Sequence, residues 1–255
     1  MLAQLFDLTG KTALVTGSSQ GLGLIFARAL ANAGATVILN GRNAKKLNGA
    51  VNSLKNKGYN VFGSVFDVTS AAQVNKNIGL IEKNIAPIDI IVNNAGIQIR
   101  APLEDFKEQD WKEIIDVHLT GAFLTAKAVV KHMMKRRSGK IINICSVQSE
   151  LARPTITPYT AAKGGLKSLT KGMATEWGKY NIQVNGLGPG YFKTEMTKSL
   201  WKDRSFHSWL CSRVPLQRWG DPEELAGPLI FLASNASNYL TGHILYLDGG
   251  ITASI

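Results

Sequence analysis

The chain has 255 residues, 45% hydrophobic and 18% charged, enough apolar content to bury a core and an argument against a disordered chain. Lysine and arginine total 29 against 18 acidic residues, a formal charge of +11 that draws anions without choosing among phosphates, carboxylates and nucleic acid. No apolar run approaches the roughly 18–20 residues that span a bilayer, and no basic stretch followed by a long apolar one opens the sequence, so a soluble, unexported, cytoplasmic protein with no membrane partner is expected.

Short aliphatic and β-branched runs at residues 12–16, 36–39, 61–66, 88–92, 140–145, 183–187 and 244–247 alternate with segments of helical spacing. That alternation predicts βαβ units and a single doubly wound α/β domain over residues 1–255, with a seven-stranded parallel sheet flanked by helices, a Rossmann fold. No linker or repeat interrupts it. In such sheets ligands bind beyond the carboxyl ends of the strands, so the residues that follow each strand are the ones to read for chemistry.

After the first strand comes Thr16-Gly17-Ser18-Ser19-Gln20-Gly21-Leu22-Gly23 and then an apolar helix. Its glycines allow a tight turn and let backbone N–H groups approach a pyrophosphate at the helix N-terminus. The second strand ends in Asn40-Gly41-Arg42-Asn43, where an acidic residue would grip the adenosine ribose hydroxyls. None stands there, and Arg42 offers a forked cation for a 2′-phosphate, so NADP is favoured over NAD unless Arg42 is a solvated loop residue. Asp67-Val68 follows the third strand and Asn93-Asn94-Ala95-Gly96 the fourth, suited to hydrogen bonding and close backbone approach or to plain turns. Residues 110–131 place Trp111, Ile114, Ile115, His118, Leu119, Ala122 and Ala126 on one helical stripe, and the basic run from Lys131 to Arg137 reads as a solvated helix end in preference to a nucleic-acid site.

The fifth strand leads into Cys145-Ser146, and Tyr159 and Lys163 stand four residues apart on the next helix, hence on one face. A phenol, whose pKa is normally about 10, becomes a usable acid–base group if a nearby cation stabilises its phenolate. Ser146 can then hold a substrate oxygen, Tyr159 exchange its proton, and a nicotinamide exchange hydride at the same carbon, giving an alcohol–ketone redox site. The helix continues a buried stripe through Ala162, Leu166, Thr170, Met173 and Trp177, and two such apolar faces allow a homo-oligomer. Cys145 and Cys211 lie far apart and form no metal-spaced cluster with the four histidines, so neither a disulfide nor a bound metal is expected.

These motifs, in this order, resemble the short-chain dehydrogenase/reductase family over essentially the whole chain. Thr16–Gly23 resembles its TGxxxGxG cofactor loop, Asn93–Gly96 its NNAG element, Ser146 with Tyr159 and Lys163 its active site, and Pro189-Gly190 its PG motif. The resemblance implies cofactor contacts from Gly17, Ser19, Gln20, Gly21, Leu22 and Gly23, from Asn40 and Arg42, and from Asn94, Ala95 and Gly96. It further implies that Asp67, with Val68, meets the adenine, that Lys163 also binds the nicotinamide ribose beside Tyr159, and that Pro189, Gly190 and Thr194 hold the nicotinamide. The segments at residues 96–100, 144–151, 189–196, 209–211 and 218–221 resemble the gluconate 5-dehydrogenase group of that family, implying interconversion of D-gluconate and 5-keto-D-gluconate and, by analogy, a homotetramer.

One departure stands out: His118 occupies the place of a family asparagine that helps hold a water linking the lysine to solvent. An imidazole can donate and accept in its place, or it can be a satisfied core histidine. A sugar-acid substrate needs a cation and several polar groups, and Arg100 is assigned to its carboxylate, with Ser146, Gln148, Glu150, Tyr159 and Tyr191 around its oxygens. A surface salt bridge is the alternative for Arg100. Residues 194–211, with Trp201 and Trp209, read as a mobile lid or an anchored helix. The rival readings are a 3-oxoacyl carrier-protein reductase, whose acidic partner suits the basic surface, and a catalytically impaired nucleotide-sensing or nucleic-acid-binding protein.

Overall fold

The computed structural model describes residues 2–254. Seven runs form strands β1 (Thr12–Val15), β2 (Thr36–Gly41), β3 (Val61–Val65), β4 (Ile90–Asn93), β5 (Gly139–Ile144), β6 (Ile182–Pro189) and β7 (Ile244–Leu247). The helices are α1 (Leu2–Phe6), α2 (Gly21–Asn32), α3 (Ala44–Lys55), α4 (Ala71–Asn84), α5 (Glu108–Ile115), α6 (Gly121–Arg136), α7 (Thr157–Trp177), α8 (Lys198–Lys202), α9 (Arg204–Arg213) and α10 (Ala226–Ala233). All strand pairs are parallel, in the order β3-β2-β1-β4-β5-β6-β7. This is the doubly wound Rossmann architecture that the alternation predicts.

Every residue of β1, β4 and β5 is buried, because helices cover both faces of the sheet. On one face Phe26, Leu30, Leu229 and Leu232 pack against Val15, Val37 and Leu187. On the other, Val74, Ile78, Val129, Met133 and Met173 pack against Leu14, Ile91 and Val184. The chain reverses its direction of winding between β1 and β4, which opens a crevice at their carboxyl ends.

The helix expected from residue 110 is interrupted: α5 gives way to a π turn, Asp116–Thr120, before α6 resumes. The extra residue shifts the following side chains around the axis and directs His118 inward, 3% exposed. Trp111, placed on the buried stripe by its spacing, is an exposed residue. The basic run is a helix end: Arg136 pairs with Glu82 at 2.8 Å, and Arg137 closes α6 in the left-handed region at φ 50°.

A buried polar chain crosses the sheet below the crevice. Thr125 Oγ1 donates to Asn93 Oδ1 (2.7 Å), Asn93 Nδ2 to Asn143 Oδ1 (2.8 Å) and Asn143 Nδ2 to Thr170 Oγ1 (2.9 Å). It ties α6, β4, β5 and α7 together with every link satisfied, which fixes the height of α7 over the sheet. Both cysteines are free thiols. Among the described residues no helix is long and apolar enough to cross a membrane.

Candidate active site

The loop after β1 is shaped by its lack of side chains. Gly17 (φ 61°) and Gly21 (φ 59°) take left-handed conformations. A Cβ on Gly23 would lie 2.4 Å from Gly17 O, and one on Gly17 would lie 2.7 Å from Ala95 Cα. Gln20 precedes α2 with no side-chain cap, and the first turn of α2 holds no acidic residue, so the N–H groups from Gly21 to Gly23 are open to an anion, and Leu22 leans on the core.

Asn40 lies beneath the loop. It is 1% exposed, accepts from Gly17 N (3.2 Å), and donates to Ser64 O (3.2 Å) and Phe66 O (3.0 Å). Its amide is spent on the protein, so it shapes the loop instead of reaching a ligand. Asn94 behaves alike, its Nδ2 donating to Thr16 O (2.9 Å) and Gly17 O (3.1 Å). Ser18, which the sequence reading passed over, also builds the loop: its hydroxyl donates to Val15 O (2.7 Å) and accepts from Asn40 N (3.0 Å).

Arg42 stands at the end of β2 with its side chain 60% exposed, 3.6 Å from Asp67 Oδ2. Ser19 Oγ lies beside Gly41, so Ser19 and Arg42 frame one rim of the crevice. Asp67 Oδ1 accepts from Thr69 N and Oγ1, Val68 packs beneath Gly121, and Pro189 ends β6 where Gly190 rests on Asp248. Thr194 N donates to Thr197 Oγ1 (3.0 Å) at the start of the α8 segment.

Tyr159, Ser146 and Lys163 converge as their spacing predicts. Ser146 and Tyr159 share a hydrogen bond, and Lys163 Nζ lies 5.5 Å from the Tyr159 ring centroid. The expected acidification of the phenol is absent: burial pushes Tyr159 up to about 12 and brings Lys163 down to about 8. Burial is the first cause of both shifts, and the Lys163 ammonium donates to Ile144 O at 2.5 Å, on β5, while its charge stays in the site.

His118 packs edge-on to Tyr159, ring centroids 5.2 Å apart. Its Nε2 lies 2.7 Å from Ile97 O and 3.1 Å from Ile97 N, while its buried Nδ1 has no partner. Burial and the Lys163 charge pull its pKa down to about 3, so it is neutral. The ring fits because residue 96 is glycine: a Cβ there would lie 2.5 Å from His118 Cε1.

On the substrate side Gln148 Nε2 donates to the Tyr191 hydroxyl (3.4 Å), and buried Gln148 Oε1 has no partner. Arg100 NH1 donates to Ser199 Oγ (3.1 Å) and its NH2 to Met196 O (3.4 Å), which excludes the salt-bridge alternative among the described residues. The Glu150 carboxylate pairs with Lys167 (2.5 Å) and accepts from Tyr246 OH (2.7 Å), so it braces α7 against β7. The segment read as a lid or an anchored helix forms α8 and α9, with Leu210 packed on Val147, Val214, Trp219 and Ile251, while Trp209 stays exposed. Phe206 and Trp219 around Tyr191, and Arg153 beside it, are site residues that the sequence reading missed.

A dinucleotide cradle at the switch point, with a Ser-Tyr-Lys cluster at its mouth, defines a nicotinamide-dependent oxidoreductase. Residues 11–205 match the family model for short chain dehydrogenase. The chain is 53% identical over 98% of its length to gluconate 5-dehydrogenase of Gluconobacter oxydans, covering 98% of that protein. It is 50% identical to 5-keto-D-gluconate 5-reductase of Escherichia coli K12, covering 98% of this chain and 99% of that one. A solved gluconate 5-dehydrogenase from Burkholderia cenocepacia, in complex with NADP and tartrate, superposes with a TM-score of 0.98 at 50% identity over 100% of both chains. The chain belongs to the short-chain dehydrogenase family and is an oxidoreductase acting on a CH–OH group.

Proposed function

We propose that this protein is an NADP-dependent enzyme interconverting D-gluconate and 5-keto-D-gluconate, with Ser146, Tyr159 and Lys163 as its catalytic residues. The observation that carries the reading is the meeting of a glycine cradle, a proton-bearing Tyr159 and a carboxylate-free Arg100 around one crevice. The cradle suits a pyrophosphate, because any side chain at Gly17 or Gly23 would fill it, and Arg42 with Ser19 would hold a 2′-phosphate at the rim. Asp67 and Val68 would flank the adenine, and Pro189, Gly190 and Thr194 the nicotinamide.

When bound, the reduced nicotinamide supplies hydride to the carbonyl carbon. Ser146 Oγ orients the carbonyl oxygen, and Tyr159 OH gives that oxygen its proton. A phenol held near 12 keeps its proton at neutral pH, so Tyr159 carries the proton that reduction of a ketone consumes. Lys163 lies on the path by which Tyr159 regains a proton, and the free Nδ1 of His118, in the same cavity lining, suits a water on that path. Arg100 takes the carboxylate, and Gln148 Oε1 and Tyr191 OH accept or donate to the hydroxyls. We also infer one cytoplasmic domain in a homo-oligomer, a tetramer by family analogy, to which the exposed Trp111 and Phe123 of α5 and α6 lend support.

The test follows NADPH or NADH absorbance with 5-keto-D-gluconate, a neutral ketohexose and an acetoacetyl thioester. Selective NADPH oxidation with the keto acid is expected, and Tyr159→Phe should lower its kcat by about a thousandfold while NADPH still binds. Preferred turnover of the thioester, or wild-type turnover in the Phe variant, would overturn the reading.

A further inference from the structure

A second guanidinium lies close to Arg100, and its loop is held there. Arg153 stands between β5 and α7, and Ala101 N, next to Arg100, donates to Thr155 O at 3.2 Å, lashing the two arginine loops together. Thr155 sits in the left-handed region at φ 71°, a conformation that a β-branched residue adopts only under constraint. The strain marks a site where the backbone serves the position of a side chain.

Arg153 lies 5.8 Å over the Phe206 ring of α9 and reaches the Tyr191 hydroxyl, and its field is felt at both Tyr159 and Arg100. Its NH1 donates to the adjacent Pro154 O at a long 3.4 Å. Among the described residues neither arginine has an acidic partner, and Glu150, the acid nearest in sequence to Arg153, is taken by Lys167 and Tyr246. Two cations brought together on a strained loop with no anion between them are complementary to an anion that arrives. Arg100 spends part of its fork on Met196 and Ser199, whereas the contacts of Arg153 are the Tyr191 hydroxyl, the Phe206 ring and Pro154 O, none of them an anion.

We propose that Arg153 is the principal carboxylate-binding residue of the substrate site, with Arg100 tying the α8 segment over the same carboxylate. The inference rests on the sugar-acid reading above and deepens it. In a 5-keto acid the carboxylate lies four carbon–carbon bonds, about 5 Å when extended, from the reacting carbon, a span that suits a cation felt at both Tyr191 and Tyr159. Arg153 therefore selects for acids with this spacing against neutral ketoses of equal length.

The test compares wild type, Arg153→Met, Arg153→Lys and Arg100→Ala on 5-keto-D-gluconate and a neutral ketohexose, with tartrate as a non-reacting carboxylate inhibitor. Arg153→Met is expected to raise KM for the keto acid about 30-fold and to weaken tartrate in parallel, with kcat and the neutral ketose changed less than about threefold. Arg153→Lys should recover only part of the affinity, because an ammonium lacks the fork. Equal losses on both ketones, or an unchanged KM for the acid beside an impaired Arg100→Ala, would overturn the role of Arg153 and leave the sugar-acid reading standing. A wild-type enzyme with no preference for the acid would overturn both. If Arg153→Met no longer binds NADPH, full recovery by Arg153→Lys counts against the proposal and partial recovery confined to the acid supports it.

Discussion

The two sides of the crevice are built on opposite plans. On the β1–β2 side the polar side chains face the protein: Asn40, Asn94 and Ser18 spend their groups on backbone, and what remains for a ligand is a row of N–H groups. On the β5–β6 side the side chains themselves face the crevice, with Gln148 Oε1 unpaired and two guanidiniums without acids. Backbone recognition suits a pyrophosphate common to many reactions, whereas side-chain recognition suits the one substrate that differs. Arg42, a cation on the backbone-built side, is the exception, and the proposed function assigns it the 2′-phosphate by which NADP differs from NAD.

Gly23→Ala should break the backbone-built side most severely. Its Cβ would lie 2.4 Å from Gly17 O and 2.5 Å from Asn94 Nδ2, displacing the bond between them. A stability loss of about 1–3 kcal/mol in urea unfolding is expected, together with loss of NADPH binding by fluorescence. Normal cofactor affinity in a normally stable variant would mean that the cradle is not the site. Arg42→Ala should sharpen the contrast, raising KM for NADPH about 10–100-fold and leaving NADH and urea stability unchanged, since only a charged contact is removed. Equal effects on the two cofactors would return Arg42 to the status of a solvated residue.

The smallest effect lies far from the crevice. Lys140, at the other end of β5, donates to Asn238 Oδ1 (2.9 Å) and Ser237 Oγ (3.3 Å), and burial without an acid lowers it to about 8. An unfolded lysine titrates near 10.5. Between these values the unfolded chain binds more protons than the folded one, so stability rises with pH from 8 to 10.5. Lys163, also brought down to about 8, adds to the same slope, while Cys145, pushed up from 9.0 to about 11 by burial, opposes it above pH 9. Lys140→Met should therefore lower the change in stability between pH 8 and pH 10, read from urea midpoints, by the contribution of one lysine. An unchanged slope would place the charge of Lys140 outside the interior.

Most of the scaffold was legible because it is local. The strand runs carry their own periodicity, the glycine loop its own turn chemistry, and Tyr159 and Lys163 their own helical spacing. What the sequence did not carry involves competition between groups distant in the chain. The Asn40 side chain, at the end of β2, is engaged by Ser64 O, Phe66 O and Gly17 N. Lys163 stands one helical turn from Tyr159, and its ammonium also donates to Ile144 O on the strand below. Trp111 matches the spacing of the buried stripe and is nonetheless exposed, on α5 ahead of the π turn.

The sequence by itself determined the doubly wound sheet, the cofactor loop and the acid–base pair, since hydrophobic period, glycine placement and a four-residue step along a helix act within one element. Tertiary structure alone decided which polar groups are satisfied by protein and which are left for a ligand. It turned Glu150 to Lys167, gave Gly96 the task of admitting His118, and set Arg153 beside Arg100. A hydrogen bond goes to whichever partner the packing brings nearest, and that competition is settled only when the loops after separate strands meet.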